Sequence, residues 1–168
     1  MHRRDLIKLG ASLAAFPSTI PVAWAAQAAK SDWRPAILDA HQNETVIVLT
    51  ELIIPATDTP GAKAARVNRY IDLFLRDGDA RQRERFLDGL NWLDGQMLRA
   101  YGHPFVRCTP EQQTAQLQAM DASAPGPGRN FFRLAKNLTQ QIYYSTEIGF
   151  QELNKGGRVP KTFGCTHA

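Results

Sequence analysis

Histidine and cysteine are the residues of this chain that could ligate a metal ion or a haem, and their spacing decides between these chemistries. His41, His103 and His167 are scattered singly, and no two of them stand three or four residues apart. Covalent haem attachment uses Cys-x-x-Cys-His, of which Cys165-Thr-His167 is only the tail. A zinc or copper site needs several converging ligands. We therefore interpret the histidines as surface or hydrogen-bonded side chains and expect no metal-binding residues.

Dinucleotide binding and nucleophilic catalysis each leave a recognisable pattern, and the sequence contains neither. No Gly-x-Gly-x-x-Gly turn follows a strand-like run, so no phosphate-binding turn for FAD or NAD is predicted. Ser123 and Ser145 lack the Gly-x-Ser-x-Gly elbow of a serine hydrolase. We expect neither cofactor-binding nor catalytic residues in this chain, and therefore no enzyme activity of its own.

The first 25 residues have the pattern of an export signal. Arg3 and Arg4 are adjacent, Lys8 follows them, and a mildly apolar stretch continues to position 16. This arrangement resembles a twin-arginine leader. Ala23 and Ala25 provide the small residues that a signal peptidase requires, so we predict cleavage after Ala25, with a site two or three residues later as the alternative. An uncleaved amphipathic anchor is the remaining interpretation.

A twin-arginine leader has a physical consequence, because this route carries proteins that have already folded in the cytoplasm with a cofactor or a partner. The apolar stretch is far shorter than the ~20 residues of a membrane helix, and Pro17 and Pro21 would break it. We therefore divide the 168 residues into a signal peptide, 1–25, and one domain, 26–168. The expected location is the periplasm, and any association with the inner membrane would arise through a complex.

The charge pattern argues against nucleic acid as a partner. The whole chain has a net charge of +4, and part of this excess lies in the predicted leader. Between positions 66 and 85, arginines are interleaved with acidic residues, which is typical of a solvated helix face. With 43% hydrophobic and 21% charged residues, the composition is that of an ordinary globular domain.

Hydrophobic periodicity predicts an all-α fold. Apolar residues recur every three or four positions from Val67 to Leu75, from Phe86 to Tyr101 and from Phe131 to Ile142. Thr109-Pro-Glu-Gln112 has the pattern of a capping box with proline at the first helical position, so another helix begins there. Asn130 is the expected cap of the last helix.

An apolar run at positions 46–54 is ambiguous between a strand and a helix. Its β-branched side chains favour a buried strand, but Thr50-Glu51 interrupts it and its apolar positions also fit one helical face. We interpret the run as a helix that is capped by Asn43 and ended by Pro55. The predicted architecture is a single compact bundle of about five helices behind the signal peptide.

Several blocks of the sequence resemble the gluconate 2-dehydrogenase subunit 3 family. The most specific block is Glu51-Leu-Ile-Ile-Pro-Ala-Thr-Asp-Thr-Pro-Gly-Ala62, which unrelated helical proteins would seldom carry. The other blocks follow in the order of the family, at Tyr70–Leu75, Phe131–Thr139, Tyr143–Gly149 and Phe163–Cys165. The resemblance covers nearly all of the predicted mature chain.

The resemblance implies that this chain is the non-catalytic small subunit of a heteromeric flavin-dependent dehydrogenase of sugars or polyols. In such systems a large subunit of the glucose-methanol-choline type carries FAD and oxidises the sugar, and a cytochrome c accepts the electrons at its haem c. The small subunit carries the leader that the flavoprotein lacks, escorts the flavoprotein through export and stabilises it. The implied substrates include gluconate, glucose, sorbitol and other polyols, and glycosides oxidised at the third ring carbon.

Two of the shared blocks are candidates for the surface that binds the flavoprotein. Two prolines fix φ in the loop after residue 54, and Thr57 and Asp58 can bond backbone N–H groups, which predicts a rigid exposed loop. A helix-joining turn is the alternative. In the adjacent pairs Tyr143-Tyr144 and Phe131-Phe132 we expect one ring to pack inward and the other to face a partner. The predicted interface residues are Thr57, Asp58, Thr59, Pro60, Gly61, Ala62, Tyr143, Tyr144 and Glu147.

Cys108 and Cys165 are the two cysteines of the chain. In an oxidising periplasm an even pair favours a disulfide, which would stabilise the fold by roughly 4 kcal/mol through the loop that it closes. Two unconnected thiols are the alternative.

Two other functional classes remain open, in which the chain is a stand-alone periplasmic helical protein. A small hydrolase would need a nucleophile and a base. A redox carrier would need ligands for haem or copper.

Overall fold

The computed structural model describes residues 22–30 and 32–154. These residues form seven α-helices and a short 3-10 helix, with no strand among them, so the predicted all-α class is confirmed. The helices are α1 (Val22–Ala29), α2 (Ala40–Ile53), α3 (Val67–Asp77), α4 (Ala80–Tyr101), the 3-10 helix (Phe105–Arg107), α5 (Pro110–Ala122), α6 (Pro127–Ser145) and α7 (Glu147–Leu153). Within the described ranges, no helix has both the length and the hydrophobicity that a membrane crossing requires.

Capping side chains explain where α5 and α2 begin. Thr109 and Gln112 form the predicted capping box of α5, in which each side chain accepts the backbone N–H of the other residue. Asp39 and Gln42 form the same arrangement at α2, so α2 begins four residues earlier than the Asn43 cap would place it. The prediction that Asn43 caps α2 is therefore wrong. Asn43 instead accepts a hydrogen bond from an amide side chain of α3 (2.9 Å).

α6 is the central helix of the bundle and contacts α2, α3, α4, α5 and α7. It begins at Pro127 after Gly126 in the N-cap position. The prediction that Asn130 caps α6 is wrong, because Asn130 lies inside the first turn and is exposed. The starting position is instead set by the proline, which has no N–H to lose at the first helical position.

Both adjacent phenylalanines of α6 are buried. Phe131 is 3% exposed and packs edge-on against Phe86 of α4, at 5.6 Å between ring centres. Phe132 is 6% exposed and faces α2 and α5. The expectation that one of these rings faces a partner is wrong, because a helix surrounded on several sides buries more than one narrow stripe. Gly89 and Gly128 allow the close approach of α4 and α6, since a Cβ at either position would overlap an aromatic ring of the other helix.

α1 lies against α3, although the predicted signal peptide includes its first residues. The Trp24 indole N–H donates to the Asp77 carboxylate (2.9 Å). Arg69 donates to two carbonyl oxygens at the C-terminal end of α1 (2.7 and 2.6 Å), which have no partner within that helix. The expected cleavage site, after Ala25, therefore falls inside a helix that is docked on the domain, with Ala23 and Ala25 exposed on its surface.

A buried carboxylate joins α3 to the segment that leads into α2. Asp72 has no exposed surface. Its two oxygens accept the backbone N–H groups of Ala36, Ile37 and Leu38 at 2.8, 2.9 and 2.9 Å. These charge-assisted hydrogen bonds offset the loss of hydration of the carboxylate and satisfy three donors that belong to no helix. Asp72 thus sets the position of the chain just before α2.

We predict that Asp72→Asn lowers the free energy of unfolding by roughly 2–4 kcal/mol, because the new amide NH2 would face backbone N–H donors and leave buried groups unpaired. Urea unfolding followed by circular dichroism measures this change. Asp88→Asn is the matched control, since Asp88 is exposed on α4 and its replacement should change stability by no more than about 0.5 kcal/mol. Equal stabilities of the two variants would contradict the role of Asp72.

Candidate partner interface

Residues 55–62, which we call the motif loop, connect α2 to the turn that precedes α3. The ends of the loop meet, because the Ala62 N–H donates to the Ile54 carbonyl (2.9 Å). Within the loop, the Thr57 N–H donates to the Thr59 carbonyl (2.9 Å), and the Thr57 hydroxyl donates to the Asp58 carboxylate (2.9 Å). The motif loop is therefore closed by its own hydrogen bonds, as in a compact surface loop.

Glu51, in the last turn of α2, holds the motif loop at both ends. Its Oε1 accepts the Ala56 N–H and its Oε2 accepts the Lys63 N–H, each at 2.8 Å. Gly61 packs against this carboxylate, and a Cβ there would lie 2.5 Å from both the Ala56 nitrogen and Glu51 Oε1. The sequence pattern indicated Thr57 and Asp58 as the residues that contact the backbone, and Glu51 was not predicted. The position of Glu51 at the start of the most specific sequence block could have indicated that it supports the loop.

Tyr143 joins the motif loop to the core. The residue has no exposed surface, and its Oη lies 2.6 Å from the Pro60 carbonyl oxygen and 2.7 Å from Glu152 Oε2. Pro60 and Tyr143 are 83 positions apart in the chain. The structure thus brings together the two blocks that contain the predicted interface residues, and it places α7 beside them.

The predicted interface residues divide into exposed and buried groups. The exposed or half-buried members are Thr57, Asp58, Pro60, Tyr144 and Glu147. The buried members are Thr59, Gly61, Ala62 and Tyr143. We remove the buried members from the candidate surface, because a side chain without exposed area cannot contact a partner. They support the surface from below, and Tyr144 packs edge-on against Tyr143 at 5.2 Å between ring centres.

The predicted export signal, Arg3, Arg4 and Lys8, lies outside the described residues, and so does Cys165 of the predicted disulfide. The pairing of Cys108 with Cys165 therefore stays a prediction.

Cys108 is buried, 7% exposed, and forms no disulfide with another of the described residues. Its Sγ lies 3.5 Å from the carbonyl oxygens of His103 and Pro104. Burial raises the pKa of this thiol above its ordinary value, and the nearby Asp94 carboxylate adds to the effect. The thiol therefore stays protonated at neutral pH, which does not favour a nucleophilic role.

His41 and Asp94 form a close pair that could be mistaken for a catalytic base and the carboxylate that orients it. Nε2 of His41 lies 2.5 Å from Asp94 Oδ2, and Asp94 Oδ1 accepts the N–H of Phe105 (2.8 Å). The carboxylate thus connects α2, α4 and the 3-10 helix, which explains the pair as a structural contact. Among residues 22–30 and 32–154, no three histidine, cysteine or acidic side chains are grouped closely enough to hold a metal ion.

A groove between α4 and α6 is a second surface feature, which was not predicted from the sequence. Its volume is about 800 Å³, and Trp92, Phe131 and Leu134 provide apolar lining beside Arg85 and Asn137. In the sequence, Trp92 falls outside the apolar stripe of α4. A large aromatic side chain away from the core-facing positions could have indicated this surface. Half-buried tryptophan beside arginine is typical of protein–protein contacts.

We predict that Glu51→Gln loosens the motif loop, because its NH2 group would face a backbone donor and leave either Ala56 or Lys63 without an acceptor. Amide hydrogen exchange at these two positions should become about tenfold faster, which corresponds to ~1.4 kcal/mol. Glu147→Gln is the matched control, since Glu147 is exposed and accepts only from the side chain of its neighbour on α7 among the bonds described. Unchanged exchange in Glu51→Gln would mean that the two prolines suffice to hold the loop.

Comparison with protein families identifies a match to the model of Gluconate 2-dehydrogenase subunit 3 over residues 40–157. The matched range includes α2 to α7 and therefore contains Glu51, the motif loop and Tyr143. No significant match was found among curated proteins or among solved structures. Since the match extends over well more than half of the sequence, the chain belongs to the gluconate 2-dehydrogenase subunit 3 family.

Proposed function

We propose that this chain is the non-catalytic small subunit of a heteromeric flavin-dependent dehydrogenase of sugars or polyols, and that it escorts the catalytic subunit through twin-arginine export into the periplasm. The observation that carries the proposal is the family membership over residues 40–157. The family is named for the third subunit of gluconate 2-dehydrogenase, which indicates an accessory place in a dehydrogenase complex.

The assignment of catalysis to a partner is supported by the chemistry of the groups that could act as nucleophile or base. Cys108 is buried with a raised thiol pKa, and His41 pairs with a carboxylate that also accepts a backbone N–H. We therefore propose that FAD is bound by a partner of the glucose-methanol-choline type, and haem c by a partner cytochrome. This chain would hold neither group.

The export role is supported by the order of events that a twin-arginine leader implies. Arg3, Arg4 and Lys8 stand before the apolar stretch of the predicted leader. A route that carries folded proteins allows one leader to export two proteins, provided that they bind in the cytoplasm. The rest of this chain then needs a stable surface for the flavoprotein, and the motif loop with Tyr144 and Glu147 supplies a candidate. The loop is held at both ends by Glu51, so little conformational entropy would be lost on binding.

We predict that Asp58→Ala combined with Tyr144→Ala weakens binding of the flavoprotein by about tenfold or more, because both side chains lie at the accessible part of the candidate surface. Co-purification from cells that express both subunits, with the activity of the purified complex, measures the change. Glu84→Ala combined with Tyr101→Ala is the matched control, since it removes an acidic and an aromatic side chain that are exposed on α4. If both double variants retain full co-purification, the motif loop is not the interface.

We further predict that Arg3→Lys combined with Arg4→Lys keeps both this chain and the flavoprotein in the cytoplasm. The substitution preserves the charge of the leader but removes the planar guanidinium groups, so a loss of export reports recognition of the arginine pair itself. Cell fractionation and FAD-dependent sugar oxidation with an artificial electron acceptor locate the activity. Periplasmic activity in cells where this chain stays in the cytoplasm would show that the flavoprotein exports itself, and the escort role would be rejected.

A further inference from the structure

A small pocket opens where α2, α5 and α6 meet. Its volume is about 100 Å³. Its walls are largely apolar, with Leu52 and Ile53 of α2, Leu117 of α5 and Phe132 of α6. The other lining residues are polar or charged, namely Thr114, Gln118, Asp121, Lys136 and Gln140. Ile53, Leu117 and Phe132 belong to the buried core of the bundle. The shape of the pocket is therefore set by the packing of three helices, and no flexible loop contributes to it.

Lys136 of α6 brings a positive charge to this apolar pocket. The residue is 8% exposed. Its Nζ lies 3.6 Å from Asp121 Oδ2 and 5.6 Å from the centre of the Phe132 ring, and both neighbours also line the pocket. At 3.6 Å the contact with Asp121 is an ion pair without a hydrogen bond, and Nζ makes no hydrogen bond to any other of the described residues.

A buried ammonium group with unused hydrogen-bond donors is unfavourable, and an oxygen anion placed beside it compensates. Asp121 supplies only part of this compensation, because 43% of its side chain is exposed at the rim. Lys136 and Asp121 are the titratable residues that line the pocket. An incoming anion thus meets a buried positive charge and an exposed negative charge, and water screens the exposed charge more strongly.

We propose that this pocket binds a short aliphatic carboxylate, with its carboxylate at Lys136 Nζ and its alkyl chain against the apolar walls. An engineered cavity of ~150 Å³ holds the six carbon atoms of benzene, so a cavity of this volume encloses roughly four or five non-hydrogen atoms. Propanoate has this size, and butanoate is one methylene group longer, which the open mouth of the pocket accommodates. A sugar acid does not suit the pocket because of its size, since gluconate has about 13 non-hydrogen atoms and a cavity of about 100 Å³ encloses far fewer.

Sodium butanoate is the probe that tests the proposal. It is titrated into the purified full chain, together with any subunit that co-purifies, by isothermal titration calorimetry at constant ionic strength. We expect a Kd on the order of 1 mM. Butan-1-ol and butylammonium have the same alkyl chain without the negative charge and should bind about tenfold more weakly or worse. Sodium gluconate should bind equally poorly.

Two substitutions separate a carboxylate site from a purely structural ion pair, because they have opposite expected effects. Lys136→Met keeps most of the length of the side chain without its charge and should raise the Kd about tenfold or more. Asp121→Asn removes the competing carboxylate and should lower the Kd about threefold. Replacing a buried charge with an apolar side chain often leaves stability unchanged or higher, and circular dichroism checks this. If Lys136→Met does not fold, Thr114→Phe at the exposed rim blocks the pocket and serves the same purpose.

Three results would overturn the proposal. The first is no butanoate binding by either the natural chain or Asp121→Asn at ten times the expected Kd. The second is equal binding of butanoate and butan-1-ol, or butanoate binding that Lys136→Met leaves unchanged. The third is loss of subunit co-purification in Lys136→Met without any butanoate binding, which would indicate that a partner's acidic side chain occupies the pocket. None of these results depends on the leader or on the motif loop, so export and the motif loop surface are tested separately.

Discussion

The burial of α6 on several sides is the constraint on which the rest of the described fold depends. One helix of 19 residues contacts five others, so its neighbours must approach closely and cover it from different directions. This explains why Gly89 of α4 and Gly128 of α6 stand where an aromatic ring of the facing helix packs against the backbone. It also explains how Phe131 and Phe132 are both buried, and why a lysine of the same helix, Lys136, ends in a nearly enclosed position.

The same helix supports the candidate interface. Tyr143 lies near the C-terminal end of α6, and its hydroxyl group contacts the carbonyl oxygen of Pro60. Glu51 holds the other parts of the motif loop through two backbone N–H groups. A loop tied to a core helix and to a charged acceptor has few conformations to lose on binding, which is the property that a preformed docking surface needs. The most specific sequence block thus contains both the loop and the residue that holds it.

Three carboxylates of this bundle accept hydrogen bonds from backbone N–H groups at the connections between helices. Asp72 accepts three N–H groups, Glu51 accepts two, and Asp94 accepts one while it pairs with His41. Each of these groups fixes a segment of irregular chain against a helix, where backbone donors lack helical partners. Acidic residues that are engaged in this way stabilise connections between helices. This use of charge agrees with the proposed accessory role, in which the chain provides shape and a partner provides the chemistry.

The sequence by itself determined the helical class, the identity of the family and some helix boundaries, such as the start of α5 and the end of α2 before Pro55. These properties depend on local patterns, such as the spacing of apolar residues and the capping box at Thr109, or on a string of residues that can be recognised without a structure. The start of α2 was misplaced because Asn43 and Asp39 are both capable caps, and only the reciprocal bond with Gln42 distinguishes them.

Only the tertiary structure decided which residues of the motif blocks are exposed. Tyr143 and Tyr144 are adjacent and have the same side chain, yet Tyr143 is buried and Tyr144 is half-exposed. Pro60 and Tyr143 contact each other across 83 positions, and Lys136 meets Asp121 in a pocket formed by three helices. Such contacts join residues that are distant in the chain, and the packing of whole helices selects them. Burial and partner choice are therefore properties of the assembled bundle, because the local sequence specifies the face of a helix but not what that face meets.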